Sequence, residues 1–348
     1  MIKVLVVDDS SFMRQELARI ISSDPDLDVI GTAFDGNNAL EKIEQLKPDV
    51  VTLDIEMPGM DGLTVLKHVM INSPMPVVVI SSLTQSGADT TFEALRLGAV
   101  DIIAKPSGTI SLDIKRQTEE ITTKIKAAYK SDCSKIKKIP VTEEKVKHTK
   151  TPKRSKQTKC NQIIAIGVST GGPQTLMNII PQFPADLPAS ILIVQHMPPV
   201  FTKNFADRLN ATGNMNVKEA ENRDKIENGQ IFVAPGDFHM TLNKDGVTIN
   251  LDKNPDDTLH RPSVDVMMDS VITNFKGIIT GVLLTGMGKD GAQGLLKIHD
   301  KGNKTIAESE ATAVVYGMPR EAERLGAVDF LLGNDKIADK IIELVNSY

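Results

Sequence analysis

Short apolar runs rich in β-branched residues recur along the chain and alternate with stretches of helical spacing. They fall at residues 4–7, 29–32, 50–53, 77–80 and 100–104, then again at 163–166, 191–194, 231–234, 247–251, 278–284 and 328–332. Between them, stretches such as 12–21 and 63–70 place apolar residues three and four apart. That alternation selects one architecture: a parallel sheet flanked by helices, with ligands gathered at the carboxyl ends of the strands. Around 215–251 short strands crowd together, which predicts an antiparallel insertion or edge.

The pattern is interrupted once. Residues 131–160 hold ten Lys/Arg against three Asp/Glu, while the rest of the chain carries 30 basic and 42 acidic residues. A basic stretch so poor in apolar residues reads as a solvated linker. It divides the 348 residues into two α/β domains, 1–130 and 161–348, each large enough for its own core.

Composition narrows the function classes. Aromatic content is 4% with no Trp, which argues against base-stacking platforms for nucleic acid. No apolar run reaches membrane-spanning length, so no membrane insertion is expected. Met1 is followed directly by the strand-like Ile2-Lys3-Val4-Leu5, without the long apolar core of a secretory leader. Cys133 and Cys160 suggest neither a disulfide framework nor a zinc cluster, and the expected location is the cytoplasm.

In the first domain, acidic residues follow the strands: Asp8 and Asp9 after the first, Asp54 after the third. In the common strand order 2-1-3-4-5, strands one and three are neighbours, so these three carboxylates converge. They repel one another unless a cation neutralises them, and an oxygen-only set suits Mg2+. Ser81 ends the fourth strand and Lys105-Pro106 follows the fifth, adding a hydroxyl and an ammonium to the same rim. Singly, each is explained as a capping Asp or a surface Lys. Together with a metal, they predict a site able to bind and transfer a phosphoryl group.

The stretches Val6-Val7-Asp8-Asp9-Ser10, 54–62 and Ala104-Lys105-Pro106 resemble a two-component receiver domain, a flavodoxin-like five-stranded parallel sheet. The resemblance implies that Asp54 is the phospho-accepting aspartate. It makes Asp8, Asp9 and Asp54 the Mg2+ ligands, with the Glu56 carbonyl as a further one, Ser81 the switch hydroxyl and Lys105 the partner of the phosphoryl group. Ile102 stands where many receivers carry an aromatic switch residue, which puts a moving-ring account of signalling in doubt here.

In the second domain, Ile163-Ile164-Ala165-Ile166 runs into Gly167-Val168-Ser169-Thr170-Gly171-Gly172-Pro173. A buried strand breaks into a tight turn, and Pro173 can occupy the first turn of a helix. Gly167 to Gly171 fits the nucleophile elbow G-x-S-x-G in its strand–turn–helix context. A Gly-rich anion or dinucleotide loop is the competing reading, although the glycine spacing departs from G-x-G-x-x-G. Of the six histidines, His68, His148 and His299 lie in a receiver helix, the linker and a helix end, while His239 and His260 lie in or beside loops and stay open as partners of Ser169. His196 follows the run 191–194 after Gln195, on the same strand edge as Ser169. Asp290, in Thr285-Gly286-Met287-Gly288-Lys289-Asp290-Gly291, is either the cap of the helix that follows or the acid that orients His196.

Gly167 to Pro173, Gln195-His196-Met197-Pro198, Ala234-Pro235-Gly236, Arg261-Pro262-Ser263-Val264-Asp265, Leu284 to Ala292 and Val315-Tyr316-Gly317-Met318-Pro319 are together similar to the catalytic domain of the chemotaxis methylesterase family, CheB. Val168, Ala307 and Ala313 depart from that family's common residues without touching the polar trio. The resemblance implies a doubly wound, mostly parallel hydrolytic domain with Ser169 as nucleophile, His196 as base and Asp290 as orienting acid. It implies a phosphorylation-regulated protein-glutamate methylesterase with glutamine deamidation as a second activity. Its substrates would be methyl-accepting chemoreceptors, its phosphodonor the chemotaxis histidine kinase, and ester cleavage would need no cofactor. The backbone N–H groups of Thr170 and Met287 are the expected oxyanion donors. A DNA-binding output, the usual partner of a receiver, finds no basic recognition-helix pattern after residue 160.

Overall fold

The computed structural model describes residues 1–82, 84–106, 113–132, 135 and 160–348. The chain divides into two compact units, Met1–Ile139 and Pro140–Tyr348. Most of the basic stretch 131–160, Cys133 included, lies outside the described residues. Cys160, its last residue, is a free, buried cysteine whose thiol donates to the Gln162 carbonyl at 3.2 Å.

The first unit runs β1 (Ile2–Val7), α1 (Ser11–Ser22), β2 (Leu27–Ala33), α2 (Gly36–Leu46), β3 (Val50–Asp54), α3 (Gly62–Asn72), β4 (Val77–Ser81), α4 (Gln85–Leu97), β5 (Asp101–Ala104) and α5 (Asp113–Tyr129). Its strands form one parallel sheet in the order β2-β1-β3-β4-β5. Residues 50–53 and 77–80 are fully or almost fully buried, as expected of central strands covered on both faces. The helices start where short polar side chains can satisfy the first free amides. Ser10, Asp35, Asp61 and Thr84 each accept from the backbone N–H three residues on. Val7 pairs with Leu53, so Asp8 and Asp54 emerge side by side where the two strands end.

The second unit contains β6 (Gln162–Val168), α6 (Gly172–Ile179), β7 (Ser190–Gln195), α7 (Phe201–Thr212), β8 (Asn216–Glu219), β9 (Gln230–Val233), β10 (His239–Leu242), β11 (Ile249–Asp252), α8 (Val264–Asn274), β12 (Ile278–Leu283), α9 (Ala292–Asp300), β13 (Lys304–Glu308), α10 (Met318–Arg324), β14 (Phe330–Leu332) and α11 (Asn334–Asn346). Seven strands pair in parallel in the order β14-β13-β12-β6-β7-β9-β8, while β10 and β11 make a separate antiparallel pair. The crowding near 215–251 thus resolves into that pair and two parallel strands, β9 and the edge strand β8.

β6 lies between β12 and β7, the point where the order of connections reverses and a crevice opens beyond the strand ends. Gly167 pairs with Leu283 on one side and Val194 on the other, so the residues just past the three strands share one rim. Gly167 is required there: a Cβ would stand 2.2 Å from Val264 of α8.

Candidate active site

Three loops bring the predicted trio to that rim. Ser169 leaves β6 with its amide bonded to the Thr285 carbonyl at 3.0 Å, which ties it to the loop after β12. Its own carbonyl accepts from the Gly172 amide at 2.8 Å and from Gln195 Nε2 at 3.0 Å. Gly171 closes the turn at φ 78°, a left-handed backbone that glycine adopts without penalty, and Pro173 falls in the first turn of α6 as the sequence predicts. His196 follows β7 directly, its amide bonded to the Val168 carbonyl at 3.1 Å.

The imidazole of His196 is paired. Its Nε2 lies 2.8 Å from Asp290 Oδ2, and both side chains are largely shielded from solvent. His196 Nδ1 is buried and has no hydrogen-bond partner among the described residues. No hydrogen bond joins Ser169 to His196 here, although both sit at the same strand edge.

Asp290 does not cap the helix that follows it. α9 begins after Gly291, which has no side-chain cap, while the Asp290 carboxylate turns to the amino end of α8. It accepts from Ser263 Oγ at 2.9 Å, the Val264 amide at 2.7 Å and the Asp265 amide at 3.1 Å. Burial pushes this carboxyl up, but the His196 hydrogen bond and charge and the two amides outweigh it, holding the carboxyl well below the usual range. The acid is therefore an ionised, fully ligated anion. The electrostatic role of the helix terminus is present, but on the helix before Asp290 rather than the one after it.

The remaining histidines separate by environment. His239 is fully buried, with Nε2 3.0 Å from the Pro255 carbonyl and Nδ1 accepting from the Ser263 amide at 3.2 Å, a structural role. His260 stacks on His196, ring centroids 4.0 Å apart and planes 19° from parallel. His299 lies in the last turn of α9. His148 is outside the described residues.

Several residues of this site carried no role in the sequence reading. Gln195 Nε2 binds the carbonyls of both Ser169 and His196, at 3.0 and 3.2 Å. Thr285 Oγ1 donates to the Thr170 carbonyl at 2.9 Å and accepts from the Val315 amide at 2.9 Å, fixing the loops around the serine. Gly286 passes so close to Ser169 that a Cβ on it would lie 2.7 Å from the serine Cβ. The signal for Gly286 was its place in a Gly-rich strand end; the close approach depends on the neighbouring strand. Of the expected oxyanion donors, Thr170 is buried beside Ser169, and Met287 follows Gly286 directly.

The rim of the first unit holds a second constellation. Carboxylate oxygens of Asp8, Asp9 and Asp54 all lie within 4.8 Å of one another. Lys105 Nζ is 2.6 Å from Asp54 Oδ2 and 3.2 Å from Asp8 Oδ2. Burial raises the Asp54 carboxyl to about 6, with the negative charge of Asp8 adding to the rise and Lys105 opposing it. Three crowded carboxylates with a single ammonium are short of positive charge, and hard oxygen donors suit a hard divalent cation such as Mg2+. Glu56 bonds through its amide to Asp54 Oδ1 at 3.1 Å. Ser81 is buried at the end of β4, with its hydroxyl 3.3 Å from the Gly87 carbonyl rather than bonded to Asp54. Ile102 is buried in β5.

Comparison with known proteins matches each unit to a family. Residues 164–341 match the CheB methylesterase family and residues 4–115 match the response regulator receiver domain. A protein-glutamate methylesterase/protein-glutamine glutaminase of Caldanaerobacter subterraneus subsp. tengcongensis is 47% identical, covering 100% of this chain and 97% of the relative. A protein of the same name from Thermotoga maritima is 44% identical over 99% of this chain and 98% of its own length. The crystal structure of the Thermotoga maritima CheB methylesterase catalytic domain superposes with a TM-score of 0.51 at 43% identity, covering 54% of this chain and 100% of that one.

Proposed function

The chain belongs to the CheB methylesterase family, and from that membership we infer that it hydrolyses glutamate γ-methyl esters on chemoreceptors and deamidates receptor glutamines, under control of its receiver domain. The observation that carries the reading is the His196–Asp290 pair at 2.8 Å, set just past the same strand ends that deliver Ser169.

The chemistry follows from which nitrogen is engaged. With Nε2 held by Asp290, Nδ1 is the nitrogen left to accept the Ser169 proton. As it does so, Ser169 Oγ attacks the ester carbonyl carbon and the carbonyl electron pair moves onto oxygen. The backbone N–H groups of Thr170 and Met287 are the donors we assign to that oxyanion. Collapse of the tetrahedral intermediate expels methanol, which takes the proton from His196, and leaves an acyl-serine. Water, deprotonated by His196, then releases glutamate. An amide follows the same path with ammonia leaving. Asp290 stays ionised throughout and stabilises the imidazolium.

In the receiver, Asp54 is the phosphoryl acceptor, and Asp8, Asp9 and Asp54, with the Glu56 carbonyl, would hold Mg2+. The ion supplies charge neutralisation at the phosphoryl oxygens when bound. Lys105 pairs with the phosphoryl group and the Ser81 hydroxyl is the switch donor. The added charge on Asp54 shifts the receiver between states and so relieves its restraint on the esterase. The receiver occupies 1–130, the basic stretch 131–160 links it, and 161–348 is the esterase. The phosphodonor is the chemotaxis histidine kinase and the site of action is the cytoplasm. Among the described residues no helix is long and apolar enough to cross a membrane.

The test is methanol release from methylated receptor, with and without phosphodonor. Ser169→Ala with an unchanged thermal transition removes the release. Near-normal turnover of that variant rejects the assignment.

A further inference from the structure

One hydrogen bond fixes one point of an imidazole and leaves its plane free to rock. The Nε2 bond to Asp290 is the single hydrogen bond of the His196 ring, since Nδ1 has no partner among the described residues. Yet Nδ1 must face the serine hydroxyl within hydrogen-bond reach for proton transfer. The ring plane therefore needs a second restraint, and the only ring stacked on it is His260, 4.0 Å away and 19° from parallel among the described residues.

His260 is itself held from both sides. Arg261, the next residue, bonds to Asp237 Oδ1 through Nη2 at 3.0 Å and to the Lys253 carbonyl through Nη1 at 3.2 Å. The Asp237 amide returns a bond to the Arg261 carbonyl at 3.1 Å. On the other side Thr258 Oγ1 lies 3.2 Å from Nε2 of the buried His239. Two and three residues beyond Arg261, Ser263 and Val264 bind the Asp290 carboxylate. One stretch of backbone thus presses a flat ring on the face of His196 and supplies donors to the acid at its edge.

We propose that His260 is a positioning residue of the esterase: its ring face fixes the plane of His196 and directs Nδ1 toward Ser169. The inference rests on the reading of Ser169 and His196 as nucleophile and base. It acts through the flat face and not through the nitrogens of His260, because parallel ring packing needs only a planar π-surface. A rocking base loses the alignment that makes proton transfer efficient, while substrate contacts elsewhere are unaffected, so the cost falls on kcat rather than KM.

The experiment measures methanol release by the full chain, with saturating phosphodonor and methylated receptor as substrate. Wild type is compared with Ser169→Ala, His260→Leu and His260→Phe. Leucine keeps bulk without a flat face; phenylalanine keeps the face without nitrogens. His260→Leu lowers kcat about tenfold with KM within about twofold, and His260→Phe stays within about threefold of wild type, in line with the free energy of a stacked pair. Thermal unfolding of each variant shows that the loss is not unfolding. Leucine turnover equal to wild type overturns the proposal. So does phenylalanine turnover as low as leucine, or a leucine loss that appears in KM alone. If Ser169→Ala matches wild type instead, the underlying esterase assignment has failed, and that outcome is distinct from the others.

Discussion

Ser263 Oγ donates to Asp290 Oδ1 at 2.9 Å while accepting from the Val266 amide at 3.3 Å, so one hydroxyl both caps α8 and ligates the acid of the site. The two tasks use the donor and the acceptor of the same oxygen. Ser263→Ala removes both. Loss of the cap destabilises the second unit by about 1 kcal/mol, and Asp290 loses one of its donors. Methanol release falls by more than the stability change explains. Urea unfolding and turnover on the same variant separate the two effects.

Gly286 and Ser169 constrain one another across neighbouring strands. A Cβ at residue 286 would stand 2.7 Å from the Ser169 Cβ and 2.4 Å from Met318 Sδ. The thioether can give way, but the serine is pinned by its amide bond to the Thr285 carbonyl at 3.0 Å. Gly286→Ala therefore displaces Ser169, the proposed nucleophile. A shift of about 1 Å costs roughly a hundredfold in rate, so steady-state methanol release should fall by that order while the receiver still accepts phosphoryl groups.

On the proposed roles, the receiver and the esterase differ in their need for a divalent cation. The proposed phosphoryl site at Asp8, Asp9 and Asp54 calls for one, whereas the proposed esterase mechanism runs through Ser169, His196 and Asp290. Chelation with EDTA should abolish stimulation by phosphodonor and leave basal methanol release unchanged. Asp54→Asn should abolish the same stimulation even with Mg2+ present. Stimulation that persists in either case contradicts the receiver assignment.

Asp265 carries a pH dependence of opposite sign to Asp290. Burial pushes its carboxyl up to about 6, opposed by the Gly294 amide and reinforced by the charge of Asp290. The folded value lies above the unfolded one, near 3.8, so this group's stabilisation is complete below that pH and is lost as pH rises through about 6. Asp265→Asn keeps an oxygen for the Gly294 amide bond of 2.7 Å and removes the charge. Relative to wild type it should gain stability at pH 7.5, on the order of 2 kcal/mol, and gain nothing at pH 4. Urea midpoints at the two pH values check the sign.

Much of this protein was legible in one dimension because its signals are local. Burial on both faces makes strands such as 50–53 and 163–166 read as continuous apolar runs, and strand ends in parallel sheets are where polar residues collect. Asp8, Asp54 and Lys105, and likewise Ser169 and His196, could be placed on common rims from that rule alone. Short edge elements were less legible: β8 and β10 span four residues each, too few for a period to register.

Two α/β units and the residues offered at their rims follow from periodicity and strand ends alone. How those residues are held is a property of the folded chain. Whether Asp290 serves α9 or the amino end of α8 depends on a contact with residues 25 to 27 positions away. Which imidazole nitrogen Asp290 takes, and that His260 covers the ring, depend on rotamers and on a loop that brings His260 against His196. Spacing encodes which face of an element is buried; it does not encode the direction of a side chain whose partner lies far along the chain.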